Sequence, residues 1–294
     1  MICHDHPVRD GVKIALFGLL CLIWGSTWLV IKVGYGGLGP FNVAGLRFAI
    51  AAVVLAAIVP IAGARWPRTR PEWTLVVVVG LLLFAGDYGL IYWAEQYIDS
   101  GLTAILFGTF PLFTMLMAHV YVPGERLTRQ KLAGGALAFA GVVTLFGDRL
   151  SINASALRPM AAVIGAVVCA AISNVATKRH GKSLHAAGLN AATTMVGAVV
   201  LLAMSVLTGE GLRLPPDAMS WAAVVYLALV GSVVAFLIYF SLLKTWHSTS
   251  VSFFAVFTPI IAVVLGTLVL GERLSLWSVA GSALVVSGVA LTLR

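Results

Sequence analysis

Gly124-Glu125-Arg126-Leu127 returns intact as Gly271-Glu272-Arg273-Leu274, and that return decides how the rest of the chain is read. The residues after each copy match at the same offset: Ala133-Gly134 recurs as Ala280-Gly281, Ala136-Leu137 as Ala283-Leu284, and Gly141-Val142 as Gly288-Val289. A fixed internal period marks a duplicated unit. Here that unit is half of the 294 residues, so the chain reads as two related halves, 1–147 and 148–294.

Hydrophobic residues make up 60% of the chain and charged ones only 10%, whereas a soluble domain carries about a quarter charged residues. With a mean hydropathy of +1.01, this is the composition of an integral membrane protein. It should be all-α, because a bilayer forces each segment to satisfy its own backbone polar groups. At about 20 apolar residues per crossing, ten spans are expected, at 13–34, 41–63, 73–94, 101–122, 130–147, 157–177, 186–208, 218–240, 250–270 and 276–293. The first of these is too long for a cleaved signal and should remain as a span.

Lys and Arg number 19 against 11 Asp and Glu. In a soluble chain that surplus would suggest nucleic acid, but in a membrane protein it reports orientation, so no nucleic-acid partner is expected. Placing the N-terminus inside puts most basic residues, among them Arg9, Lys13, Arg65, Arg68, Arg126, Lys131, Lys178 and Lys182, at the cytoplasmic face. The expected localisation is the cell membrane, multi-pass, with both termini cytoplasmic. Five spans separate the two Gly-Glu-Arg-Leu copies, an odd number, so the copies face opposite sides and the halves are inverted repeats. Secondary transporters use that arrangement, with a site between the repeats and access from alternate sides.

Several local patterns carry no chemistry. Cys3, Cys21 and Cys169 are far apart, without metal-ligand or disulfide spacing. Gly181-Lys182-Ser183 lacks the first glycine of a phosphate-binding loop, since Ala176 stands there. His4-Asp5-His6 has no second ligand group at useful spacing. No metal and no cofactor is expected.

Trp24-Gly25 in the first span, Arg47-Phe48 in the second, Pro111 and Pro259 inside spans four and nine, and the repeated Gly-Glu-Arg-Leu together resemble the drug/metabolite transporter superfamily, specifically its EamA-like members. The resemblance covers nearly the whole chain, and within that group the chain looks most like bacterial exporters of amino acids and related metabolites. It implies ten transmembrane helices in two five-helix repeats and transport without ATP.

Among the deep residues, Trp24, Tyr88, Tyr92, Trp93, Asn174, Phe236 and Tyr239 are the candidates for a substrate cavity. Tyr88 and Tyr92 are four apart and share a helix face, and a tyrosine in hydrocarbon must place its hydroxyl on a partner or in water. Arg47 and Asp87 are the deepest charges, each costing about 2.5–3.5 kcal/mol at a span centre, so they are expected to pair or to serve in coupling. Pro111 and Pro259 kink their helices, as static bends or as hinges for alternating access. The small residues Gly134, Ala138 and Gly141, and Gly281 and Gly288, suit close helix packing, either within one chain or in a homodimer.

The midplane so read holds aromatic and aliphatic walls with no excess of either charge, which favours neutral amino acids as substrate. A permanent cation would want an unpaired carboxylate, and none is evident. The other readings are proton-coupled efflux of lipophilic cations, an integral membrane enzyme and a channel; no cluster of His, Asp and Ser at one interface supports an enzyme.

Overall fold

The computed structural model describes residues 10–98, 100–145, 154–270 and 275–292. Regular structure among them is helical throughout. Among the described residues seven helices are long and apolar enough to cross a membrane, within Gly11–Trp28, Pro40–Ile61, Arg70–Ala94, Leu102–Tyr121, Leu157–His180, Ala186–Leu207 and Ala218–Thr245. Ser248–Ile261 and Leu276–Thr292 are shorter apolar helices.

Helix α1 runs Asp10–Gly34 and α2 Pro40–Ile61. Proline at the first position of α2 fits its missing N–H to a place where no intrahelical partner exists. Helix α3, Arg70–Val79, opens on a capping box in which Thr69 and Glu72 exchange side-chain and backbone bonds. It passes without a break into a π-helical segment, Gly80–Asp87, and then into α4, Tyr88–Ala94. The expected fourth span is divided into α5, Ser100–Phe107, and α6, Phe110–Tyr121, by a turn at Gly108 and Thr109. Helices α7 (Arg129–Leu145), α8 (Leu157–His180) and α9 (Ala186–Leu207) follow.

Helix α10, Ala218–Ala228, is capped by Asp217, whose carboxylate accepts the Ser220 N–H at 2.8 Å and is held below the usual carboxylate range by that bond. A second π segment, Leu229–Val234, leads into α11, Ala235–Thr245. The expected ninth span is also divided, into α12, Ser248–Ser252, and α13, Phe254–Leu270. Helix α14 is Leu276–Thr292.

Both π segments end at matching places, Asp87 and Val234, which stand as far apart as the two Gly-Glu-Arg-Leu copies. A π turn widens the helix by one residue and recurs at functional sites. Both of these lie beside the cavity described below.

The glycines of α7 and α14 are spent on each other. A Cβ added at Gly141 would fall 2.6 Å from the Val285 nitrogen and 2.8 Å from the Gly281 carbonyl oxygen, and one at Gly134 would fall 2.6 Å from Gly288 O. Only bare backbone fits at such a crossing. Of the two uses open to these stripes, packing within the chain is the one present. Around them Ala138, Val142, Leu145, Val285 and Val289 form a core of their own.

Candidate functional site

A cavity lies where α1, the first π segment, α4, the α5–α6 turn, α8, α11 and α13 converge. Its walls are Trp24, Thr27, Trp28, Ile31, Leu83, Asp87, Tyr88, Ile91, Phe107, Phe110, Ala170, Phe236, Tyr239, Phe254 and Thr258. Trp24 is the hub of the aromatic wall, with ring centroids 4.3 Å from Phe254, 5.2 Å from Phe236 and 5.5 Å from Tyr239. Its indole N–H donates to the Gly231 carbonyl at 3.2 Å, in the second π segment. The free space is about 50 Å³, room for a few waters and far below the roughly 300–1,000 Å³ of sites that hold drug-sized ligands. A solute of metabolite size enters only if the walls part.

Of the residues the sequence singled out, Trp24, Asp87, Tyr88, Phe236 and Tyr239 are brought together on this cavity. Three of the expected cavity residues are not. Tyr92 is fully buried and uses its hydroxyl to accept from Arg47, so of the two tyrosines on that helix face one lines the cavity and the other binds an arginine. Trp93 packs on Tyr97, with centroids 5.1 Å apart, beside a separate small core of Ala94, Ile98, Ala156 and Val163. Asn174 stands behind the wall, its amide donating to the Tyr239 hydroxyl at 2.9 Å and fixing that ring.

Arg47 is 0% exposed and turns away from the partner expected for it. Its guanidinium donates to Ser232 Oγ at 2.8 Å, Tyr92 Oη at 3.1 Å and Gly231 O at 3.1 Å, with the Phe48 and Tyr88 rings 5.0 and 4.8 Å from its central carbon. Asp87 is not among these partners. The expected direct pair is therefore absent, because the π turn at Gly231 and Ser232 offers the fork a carbonyl and a hydroxyl at matched spacing. Asp87 is 3% exposed, and its Oδ1 has no hydrogen-bond partner among the described residues. An unsatisfied carboxylate oxygen in an apolar cavity corrects the expectation that no such group is offered.

Neither proline sits at the middle of an unbroken helix. Pro111 occupies the first turn of α6, just after the Gly108–Thr109 turn, where the lost N–H costs no bond. Pro259 lies inside α13, six residues beyond the interruption at Phe253. Thr258 Oγ1 donates at 3.4 Å to the Ala255 carbonyl, the one that Pro259 leaves without its usual N–H donor.

The first Gly-Glu-Arg-Leu copy does more than mark a repeat. Glu125 is 4% exposed. It accepts the Ser248 N–H at 2.6 Å and the Thr249 N–H at 3.4 Å. It thereby supplies acceptors to the start of α12, whose first N–H groups have no intrahelical partner. A residue of one half thus anchors a broken helix of the other. The second copy lies outside the described residues.

The wall residues not expected from the sequence include Phe107, Phe110, Phe254, Thr27 and Thr258. The phenylalanines border the two helix interruptions, and a break inside an apolar run leaves no mark in composition. Gly231 and Ser232 were missed for the same reason, since a π turn has no pattern of its own.

The EamA-like transporter family model matches residues 12–147 and 157–294. The uncharacterized inner membrane transporter YedA of Escherichia coli is 34% identical over 89% of this chain and 83% of its own length. A probable amino-acid metabolite efflux pump of Salmonella typhimurium is 27% identical, covering 95% and 93% of the two chains. A probable terminal-alkyne amino-acid exporter of Streptantibioticus cattleyicolor is also 27% identical, over 94% and 91%. A solved crystal structure of a protein 21% identical in sequence superposes with a TM-score of 0.82 over 96% of both chains, a likeness of fold.

Proposed function

The chain belongs to the EamA-like transporter family, and on that premise we propose that it exports neutral amino acids or closely related metabolites by alternating access, as a secondary transporter. The observation that carries this reading is the aromatic cavity lined by helices of both halves around one carboxylate. Its free space is too small for such a solute, so on this reading the walls must part for each passage. Two relatives named for efflux or export of amino acids support the substrate class.

In this reading the chain forms ten spans in two inverted repeats, 1–147 and 148–294. The matched ends of the two π segments support the duplication. The distribution of the basic residues supports both termini being cytoplasmic. Arg126 and Arg213 are exposed residues in the loops that this topology puts on opposite sides. With the native cysteines replaced, Arg126→Cys should react with an impermeant maleimide only from inside, and Arg213→Cys only from outside. Labelling of both from one side removes the inverted arrangement.

The transport reading is tested by flux into proteoliposomes. Phenylalanine, leucine and alanine should each exceed the flux into empty liposomes. Trp28→Ala, which strips a half-buried ring from the wall, should lower that flux at least fivefold with no change in purified yield. Pro111→Ala and Pro259→Ala serve as hinge variants in the same assay, expected to slow turnover with affinity kept. Normal turnover in both and in the double variant makes the prolines static. If no amino acid moves while a lipophilic cation does, drug efflux replaces this reading.

A further inference from the structure

We infer that Asp87 is the point at which the cavity exchanges a proton for the cationic nitrogen of its substrate, one proton for each molecule carried. The inference rests on the transport reading of this cavity and adds to it the coupling ion and the part of the substrate that is recognised.

The Asp87 carboxylate lies 3% exposed on the cavity wall, with Oδ1 unpartnered among the described residues. Two of the hydroxyls on the wall are committed elsewhere: Thr27 donates to Trp24 O at 2.8 Å, and Thr258 donates to Ala255 O. The titratable groups that act on Asp87 are Arg47 of α2, Tyr88 of α4, Cys169 of α8 and Tyr239 of α11. Arg47 spends its three hydrogen bonds on Ser232, Tyr92 and Gly231. Among the described residues no fixed cation therefore bonds the carboxylate, and an ionised oxygen without a donor is costly in so apolar a space. An empty site must take up a proton, and a filled one must receive a donor from the solute.

A primary ammonium supplies what is missing. It gives a charge-assisted hydrogen bond to Oδ1, in a cavity whose walls include the aromatic rings of Trp24 and Phe236, and aromatic rings attract a cation. As it binds, the O–H bond of the carboxylic acid breaks and the proton leaves to water. On release at the other side the carboxylate is protonated again. Nothing is oxidised or reduced. The charge carried per cycle then depends on the solute. Exporting a zwitterion against one inward proton moves one positive charge inward, whereas exporting a monovalent cation against a proton moves none.

The test uses purified full-length protein in weakly buffered detergent solution with a pH indicator, and three probes that share one ring. Phenylalanine and phenylethylamine should each release about one proton per protein molecule, and 3-phenylpropionate, which has no amine, should release none. Asp87→Asn, which keeps the shape but cannot ionise, should abolish the release and weaken phenylethylamine binding at least tenfold. Asp87→Glu should retain it. The wild-type protein provides a check that needs no variant, since its affinity for phenylethylamine should rise as the pH is raised below neutrality. Absence of proton release from wild type on binding, or unchanged release from Asp87→Asn, overturns the inference. Flux of phenylalanine without proton release leaves the transport reading standing and removes only the role of Asp87, whereas no flux of any amino acid removes the transport reading itself.

Discussion

Leucine in place of Gly141 should leave little folded protein to purify. The Cβ alone would meet the Val285 nitrogen at 2.6 Å and the Gly281 oxygen at 2.8 Å. Both are backbone atoms of a helix, so no change of rotamer relieves the clash, and α7 and α14 would have to separate along the crossing. Overpacking a close-packed site costs about 1–3 kcal/mol even where side chains can give. Here the loss should lie at or above the top of that range. Gly281→Leu should behave in the same way, while leucine at Ala136 or Ala140, exposed positions on the same α7, should be silent. Yield of monodisperse protein and its thermal midpoint in one detergent measure all four. If Gly141→Leu instead keeps a folded monomer and loses only a dimer, the stripe works between chains and the packing described for α7 and α14 is wrong.

Arg47→Ala is the second large effect. It would leave a void where a long side chain was 0% exposed, take away three hydrogen bonds, and leave the Tyr92 hydroxyl without its donor. A buried polar group stripped of its partner costs about 1–3 kcal/mol and a large buried truncation about 2–5 kcal/mol, so a total on the order of 4 kcal/mol is expected. Arg47→Lys keeps the charge but offers one ammonium in place of a fork. It cannot reach Ser232, Tyr92 and Gly231 in the same geometry, and should fold with a lower midpoint than wild type. If the lysine variant matches wild type in midpoint and in flux, the fork has no particular role and only the charge matters.

Much of the fold could be read before any coordinates, because membrane helices are written in long apolar runs. The runs expected at 41–63, 157–177 and 186–208 return as Pro40–Ile61, Leu157–His180 and Ala186–Leu207. Departures occur where helices change pitch or break. The apolar run through Gly80–Asp87 has the same composition whether it winds as α or π. Pro111 drew attention to the fourth span, yet the interruption lies just before it, at Gly108 and Thr109, since proline is accommodated in a first turn.

The site was less legible than the fold, and Arg47 shows why. A buried arginine announces that it must have partners but not which ones, and Asp87 was the obvious acceptor by charge. The acceptors used are a carbonyl and a hydroxyl from a helix nearly two hundred residues away in sequence. Tyr88 and Tyr92 make the same point, since a shared helix face gives direction and not neighbours. Trp24 could be found because an indole that deep in a span needs both a ring surface and an acceptor. It has both, in Phe254 and Gly231.

The wide turn that ends at Asp87 also stores rotation. A π turn holds one residue more than an α-helical turn, and each residue of an α-helix advances it by about 100°. If that stretch rewound as α, everything on its far side would swivel by about that angle relative to the near side, with little change in length. The carboxylate would then leave the aromatic wall and point to a different neighbour. The second π segment carries Gly231 and Ser232, which hold both Arg47 and the Trp24 indole, so rewinding there would unfasten both at once. Such a swivel could part the walls of a 50 Å³ space without unpacking the helices that surround it.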